Sequence, residues 1–400
     1  MKVVNGGVTA AKGFQATGIA AGIKTNKLDM AMVFSEKPAT VAATFTKNSI
    51  CAAPVKLCRE HLKGGKAHLI AVNSGCANAC TGPQGTKDAS EMARLAAREV
   101  KVPLQTVFVC STGTIGKMMP MDKIARGMRI AASELASDGG ALAARAIMTT
   151  DLVDKQFAVE ITVDGAPVRI GGMAKGSGMI APNMATMLAF VTTDAAVDRK
   201  ALQACVSDGV ERSFNSITVD GDQSTNDTVL VLANGAAGNH PLTTRHRDWP
   251  VFAAALEEVF RQLAMKIVLD GEGATKFVTV NVSGAASDAD ARKAARSIAN
   301  SLLVKTSWFG CDPNWGRVIA AVGYSGARVR EELVDITFDG LRAVKGGRKA
   351  PDFVLEDLEK VYKQKKFSVN IHLHLGKGKS TVYTCDCSYD YVKINSEYLT

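Results

Sequence analysis

Lys175-Gly176-Ser177-Gly178-Met179-Ile180-Ala181-Pro182-Asn183-Met184-Ala185-Thr186-Met187-Leu188 joins a glycine-rich loop to an apolar run, Met187 to Val191, that reads as a buried strand. Thr186 stands at the junction. A threonine hydroxyl is a poor nucleophile without a base beside it, and no histidine lies within 50 residues of Thr186 in sequence. One base needs no histidine: the threonine's own α-amine, freed if the chain breaks before Thr186. Such an amine has a pKa of roughly 7.7–8.0, so a useful fraction is neutral near pH 7. Taken alone, these residues leave open the plainer reading that Thr186 simply begins a core strand.

The surrounding chain sets bounds. Four hundred residues, 46% of them hydrophobic, are enough for two or three domains with a real core. No apolar run reaches the length of a membrane span, and Met1 to Gly7 lack the apolar stretch of a signal peptide, so the expected compartment is the cytoplasm. The nine cysteines are scattered and odd in number, with no C-x-x-C, which favours reduced thiols. The formal charge of +9 comes from dispersed basic residues. The clusters at Lys345 to Lys349 and at Lys363, Lys365 and Lys366 have no interleaved aromatics, so nucleic acid is not an expected partner.

Outward from the central stretch, the apolar runs predict strands at Met30–Phe34, Val41–Phe45, His68–Val72, Val107–Cys110, Phe157–Val163, Val168–Gly172 and Val229–Leu232. Residues Gly13 to Lys24 read as a tight glycine loop. Pro54 opens a short helix towards Leu62, and further helices are expected at Ser90–Val100, Ile124–Leu135, Ala141–Ile147, Lys200–Arg212 and Val251–Val268. Ser111-Thr112-Gly113-Thr114-Ile115-Gly116 follows a strand with a glycine turn, a nest of backbone N–H groups able to hold an oxyanion. Glu272 lies between two glycines, which lets the backbone approach a ligand closely. Asp312-Pro313 reads as a helix start capped by the aspartate. Phe367–Leu375 and Thr381–Tyr389 read as a hairpin, with His372 and His374 on one strand and Cys385 and Cys387 on the other. Those four soft ligands are a metal candidate only if register brings the two faces together, and the expectation is no metal.

The central stretch, with the Ser-Thr-Gly-x-Ile-Gly segment at 111–116, Met148-Thr149-Thr150-Asp151, and the run Asp312-Pro313-Asn314-Trp315-Gly316-Arg317, resembles the ornithine acetyltransferase family. These are the bifunctional glutamate N-acetyltransferases of arginine biosynthesis. The likeness runs from Gly13 to Thr400. Leu152, Ser177 and Cys311 depart from the family's usual residues.

The resemblance implies an α/β protein with a layered α-β-β-α, N-terminal-nucleophile-like fold of the aminopeptidase type and a smaller C-terminal α/β domain at about 276–400. It implies self-cleavage between Ala185 and Thr186, giving an alpha segment 1–185 and a beta segment 186–400 that associate as a heterotetramer of two of each. Thr186 is the implied nucleophile, and Thr112 and Gly113 the oxyanion hole. Thr149, Thr150, Lys175, Thr186, Glu272, Asn395 and Thr400 are the implied substrate contacts. The implied reaction moves acetyl from N2-acetylornithine to glutamate without a cofactor, with acetyl-CoA a second donor if the protein is bifunctional. The rivals are an aminopeptidase or deacetylase using the same nucleophile, and a metal- or anion-binding protein.

Overall fold

The computed structural model describes residues 1–181 and 187–397. The described residues divide into two compact units, one within 1–215 and 222–267, the other of residues 216–221 and 268–397.

The first unit is built on nine strands: β1 (Lys2–Val4), β2 (Phe14–Ile19), β3 (Met30–Phe45), β4 (Lys66–Ser74), β5 (Val107–Thr112), β6 (Lys155–Val163), β7 (Ala166–Lys175), β8 (Leu188–Thr193) and β9 (Thr228–Ala233). Six helices accompany them: α1 (Ala53–Leu62), α2 (Gly82–Val100), α3 (Met121–Ser133), α4 (Gly140–Ala146), α5 (Arg199–Arg212) and α6 (Trp249–Leu269). The strand order is β1-β6-β7-β8-β9-β3-β4-β5, with β2 also on β3.

Side-chain alternation turns this path into layers. Ala31 and Val33 of β3, Ile70 and Val72 of β4, and Phe108 and Cys110 of β5 share one buried cluster with Met173, Leu188, Phe190, Leu230 and Leu232 from β7, β8 and β9. Their neighbours on the opposite face, Met30, Met32, Leu69, Ala71, Val107 and Val109, pack instead on α2 and α3. A strand buried on both faces in this way alternates between two cores, because successive side chains point to opposite sides. On the far side, α6 closes on β7, where a Cβ on Gly172 would stand 2.9 Å from Leu263 Cδ1. The order helix, strand layer, strand layer, helix is the α-β-β-α arrangement.

Three local expectations are corrected. The two strands foreseen at Met30–Phe34 and Val41–Phe45 are one strand, β3, whose pairing with β4 shifts register between Phe34 and Ala39. Pro38 has no N–H for the ladder, so it sits exposed at that irregularity. Beyond it β3 pairs with β9. The glycine run 13–24 is not all loop, since Phe14–Ile19 is strand β2. Gly18 serves close packing there: a Cβ would fall 2.0 Å from the Leu142 carbonyl oxygen of α4. Helix α2 begins at Gly82, ahead of the expected Ser90, with proline in its first turn.

The second unit carries β10 (Phe277–Ala285), β11 (Asp335–Phe338), β12 (Leu341–Lys345), β13 (Arg348–Lys349), β14 (Lys366–His372) and β15 (Gly378–Cys385), in the order β13-β12-β11-β14-β10-β15. Helices α7 (Asp288–Asn300), α8 (Leu302–Phe309), α9 (Trp315–Gly323), α10 (Leu355–Tyr362) and α11 (Tyr389–Glu397) complete it. Val278, Val280 and Val282 alternate into a core with Ala291, Ala295 and Ile298 of α7 and with Trp308.

Here too the sequence misleads twice. The expected hairpin does not form: β10 lies between β14 and β15, parallel to the first and antiparallel to the second. His372 pairs with Ser283 and Cys385 with Phe277, at opposite ends of β10. Cys385 is buried, and its carbonyl accepts from Lys305 Nζ. The two histidines and two cysteines therefore form no common ligand set. Helix α9 starts at Trp315, capped by Asn314, whose Oδ1 accepts from the Arg317 N–H at 3.2 Å, not by Asp312.

Candidate active site

The register between β7 and β8 sets Lys175 opposite Leu188. Leu188 is two residues past Thr186 in sequence, and β7 ends and β8 begins at these paired positions. Thr186 itself, Ala185 and the preceding Pro182 to Met184 lie outside the described residues, as does Thr400.

Lys175 is 8% exposed. Its ammonium donates to Thr149 Oγ1 at 2.6 Å and to Thr112 Oγ1 at 3.4 Å. The structure thus gathers three of the expected site residues, Thr112, Thr149 and Lys175, around one cation. Thr150 follows Thr149 and is half-buried. Beneath them lies Asp151, with Oδ2 3.9 Å from Lys175 Nζ and Oδ1 2.7 Å from Lys155 Nζ. The Thr149 and Gly176 N–H groups also donate to Asp151, at 3.0 and 2.7 Å. Burial pushes the Asp151 carboxyl up, but Lys175, Lys155 and the Gly176 N–H outweigh it and hold the pKa at about 2. Asp151 is thus an anion that ties the Thr149 turn to the start of the glycine loop.

Gly113 follows Thr112 at the end of β5 with φ of 124°. A Cβ there would lie 2.6 Å from the Gly75 carbonyl carbon and 2.7 Å from the Cys76 nitrogen, so only glycine fits. The Thr112 carbonyl accepts from Cys76 N–H at 3.1 Å. Asn226 clamps this turn from the loop before β9, its Nδ2 donating to the carbonyls of Ala77 at 2.6 Å and Ser111 at 2.8 Å. Among the described residues the Gly113 N–H donates to no partner. An unpaired N–H held by rigid strands is what an oxyanion donor requires.

In the second unit, Glu272 is 6% exposed and its Oε2 accepts from Asn395 Nδ2 of α11 at 2.8 Å. Gly273, φ 66°, packs on Ser388 and Tyr391, where a Cβ would meet Tyr391 N at 2.5 Å. Two expected substrate contacts far apart in sequence are therefore hydrogen-bonded to each other.

Residues 15–400 match the model of the ArgJ family. The chain belongs to the ArgJ family. An arginine biosynthesis bifunctional protein ArgJ of Symbiobacterium thermophilum is 50% identical over 100% of both chains. Its namesake in Geobacter sulfurreducens is 50% identical over 97% of this chain and 99% of its own. A crystal structure of the Bacillus halodurans argJ protein is 44% identical, covers 53% of this chain and 100% of that one, and superposes with a TM-score of 0.52.

Sequence reading of this ArgJ chain missed Lys155, and took Asp151 and Asn226 only as members of the segments 148–151 and 220–228, with no role of their own. Asn226 acts on Ala77 and Ser111, more than a hundred residues away, and Asp151 accepts from the Gly176 N–H 25 residues on, which spacing does not reveal. Asp227 lies in the polar, acidic loop 220–228 before β9, which the sequence reading took as wall of the active cleft. That residue is 3% exposed, and its Oδ2 has no hydrogen-bond partner among the described residues. Burial drives its carboxyl pKa well above the usual value, against the pull of nearby N–H groups, Thr46 and Lys175. Among the described residues no helix is long and apolar enough to cross a membrane.

Proposed function

We propose that this arginine-biosynthesis family member transfers acetyl from N2-acetylornithine to L-glutamate through Thr186. The observation that carries the reading is the convergence of Thr112, Thr149 and Lys175 over a buried Asp151, beside the strand ends that enclose the Thr186 connection. Lys175 and the two threonine hydroxyls present donors to a carboxylate or an acetyl carbonyl.

The Thr186 hydroxyl attacks the acetyl carbonyl while its α-amine takes the proton. Thr112 and the Gly113 N–H receive the oxyanion. The protonated amine passes the proton to the ornithine nitrogen, the C–N bond breaks, and an acetyl-threonine ester remains. The amine of glutamate then attacks the ester and the same groups act in reverse. Thr150, Glu272, Asn395 and Thr400 are the further substrate contacts of this reading. Acetyl-CoA is a second donor to Thr186 in the bifunctional form.

The free α-amine requires cleavage between Ala185 and Thr186. The Thr186 hydroxyl attacks the Ala185 carbonyl, the Ala185–Thr186 C–N bond breaks as the threonine nitrogen takes the hydroxyl proton, and water hydrolyses the resulting ester to free the Ala185 carboxylate. The Bacillus halodurans chain supports this, since it is matched in full by only 53% of this chain, while the named relatives run its whole length. That share is the size of a fragment such as 186–400. The fragments 1–185 and 186–400 stay together because β7 and β8, on either side of the break, remain paired through the core. We infer a heterotetramer of two copies of each fragment in the cytoplasm.

The test is denaturing mass spectrometry after exposure to N2-acetylornithine. The expected result is two fragments, with one acetyl group added to the one that begins at Thr186, and acetyl passing to glutamate on its addition. Thr186→Ala stays full length and inert. A single full-length chain with full activity overturns the mechanism, and acetate release indifferent to glutamate points to the deacetylase instead.

A further inference from the structure

Lys24 has no part in the reaction as described, yet it is held against the same turn. Asp29, fully buried, fixes its backbone: Oδ1 accepts from Ala21 N–H at 2.6 Å, and Oδ2 from Ile23 at 2.6 Å and Lys24 at 2.8 Å. The Lys24 stem lies on Gly75, where a Cβ would stand 2.9 Å from Lys24 Cγ. Gly75 in turn is the residue against which Gly113 packs. Lys24 Nζ donates to the Met148 carbonyl at 2.8 Å. The next residue, Thr149, holds Lys175. Two ammonium groups thus flank the Met148–Thr149 turn.

Their surroundings differ. Lys175 has the Asp151 carboxylate beneath it. Lys24 makes one side-chain hydrogen bond among the described residues, to a neutral carbonyl, and no carboxylate there is within ion-pair distance of it. The oxygens of its nearest acid, Asp29, are taken by backbone N–H groups. A half-buried cation without a counter-ion favours an anionic ligand, which restores what burial removes.

We propose that Lys24 binds the side-chain carboxylate of the acetyl acceptor and so sets the preference for an acidic over a neutral or basic amino acid. The assignment rests on the acetyl-transfer reading. The two amino acids that must use one nucleophile share a backbone and differ at the far end, carboxylate in glutamate and ammonium in ornithine. A second lysine at the site attracts the first and repels the second, favouring acceptor entry and ornithine departure.

Burial lowers the Lys24 pKa from 10.5 to about 8, with Lys27 and Lys175 acting in the same direction and Asp29 and Asp151 opposing. The cation is present below that value and lost above it, so glutamate binding weakens as pH rises through about 8.

The two half-reactions test this. Lys24→Gln is expected to keep the burst of ornithine from N2-acetylornithine, while KM for glutamate rises about tenfold or more and the preference for glutamate over glutamine collapses. Lys24→Arg restores both. Wild-type KM for glutamate rises through about pH 8, and Lys24→Gln flattens that rise. An ornithine burst with unchanged glutamate KM in Lys24→Gln overturns the assignment alone. So does an equal loss of burst and acceptor step that Lys24→Arg fails to restore, because that marks a structural role. A wild-type enzyme without the burst overturns the acetyl-transfer reading and this assignment with it.

Discussion

The Lys155 ammonium sits 2.7 Å from Asp151 Oδ1, and neither side chain has any exposure to solvent. A buried pair of this kind adds little against an apolar replacement of both partners, but removing one leaves a charge uncompensated. Asp151→Ala is therefore expected to cost about 3–5 kcal/mol. It also releases the Thr149 and Gly176 N–H groups, so activity falls with stability. Urea unfolding measures the first effect. A loss under about 1 kcal/mol would mean that water or rearrangement satisfies Lys155.

Two buried aspartates give opposite pH dependences. Asp151 is held at about 2 against 3.8 unfolded, so its contribution is complete above the unfolded value and is lost as pH falls from 3.8 to about 2. Asp227 is raised above 3.8 in the folded state. Its contribution is complete below the unfolded value and declines as pH rises through its folded value. Asp227→Asn, which never ionises, is expected to be the more stable protein at pH 7 and to have a shallower slope of stability between about pH 4 and 7. An unchanged slope in urea titrations across that range would show that Asp227 does not carry the effect.

Gly113→Ala is expected to lower kcat about 10²–10³-fold, the usual effect of losing one oxyanion donor. The added methyl meets the Gly75 and Cys76 backbone at 2.6 and 2.7 Å, at a φ of 124° that L residues rarely adopt. The turn must therefore move. Steady-state kinetics on folded variant decides it, and near-normal kcat would remove Gly113 from the oxyanion site.

Glu272→Gln keeps the shape of the hydrogen bond to Asn395 but removes the charge. Chain cleavage is expected to proceed, since it needs no free amino-acid substrate, while KM for N2-acetylornithine rises about tenfold or more. Gel analysis and kinetics on the same preparation separate the two. A variant that remains one uncut chain would assign Glu272 to maturation.

Sequence periodicity was enough for β4 to β9, which are apolar and bounded by turn residues, but not for β2 or for the continuity of β3. Leu188 to Thr193 is buried throughout, as the run after Thr186 implied. It was not enough where partners are remote. The signal for a hairpin at 376–380 is local, but β10, almost a hundred residues earlier, takes the place between the two strands. Pairing depends on which apolar faces share a core, and local composition carries no record of that.

The sequence by itself determined the family, the candidate nucleophile and most of the chemical groups, through motifs whose residues are adjacent in the chain. Only the tertiary structure decided how those groups are charged and held. Lys175 meets Thr112 and Thr149 across 63 and 26 residues, and Asp151 becomes a permanent anion because two lysines and two N–H groups surround it out of water. Lys24 stands in the sequence only as the end of a glycine loop until folding lays it on Gly75 and beside Met148. Ionisation and pairing depend on burial and on neighbours in space, and those exist only once the chain has folded.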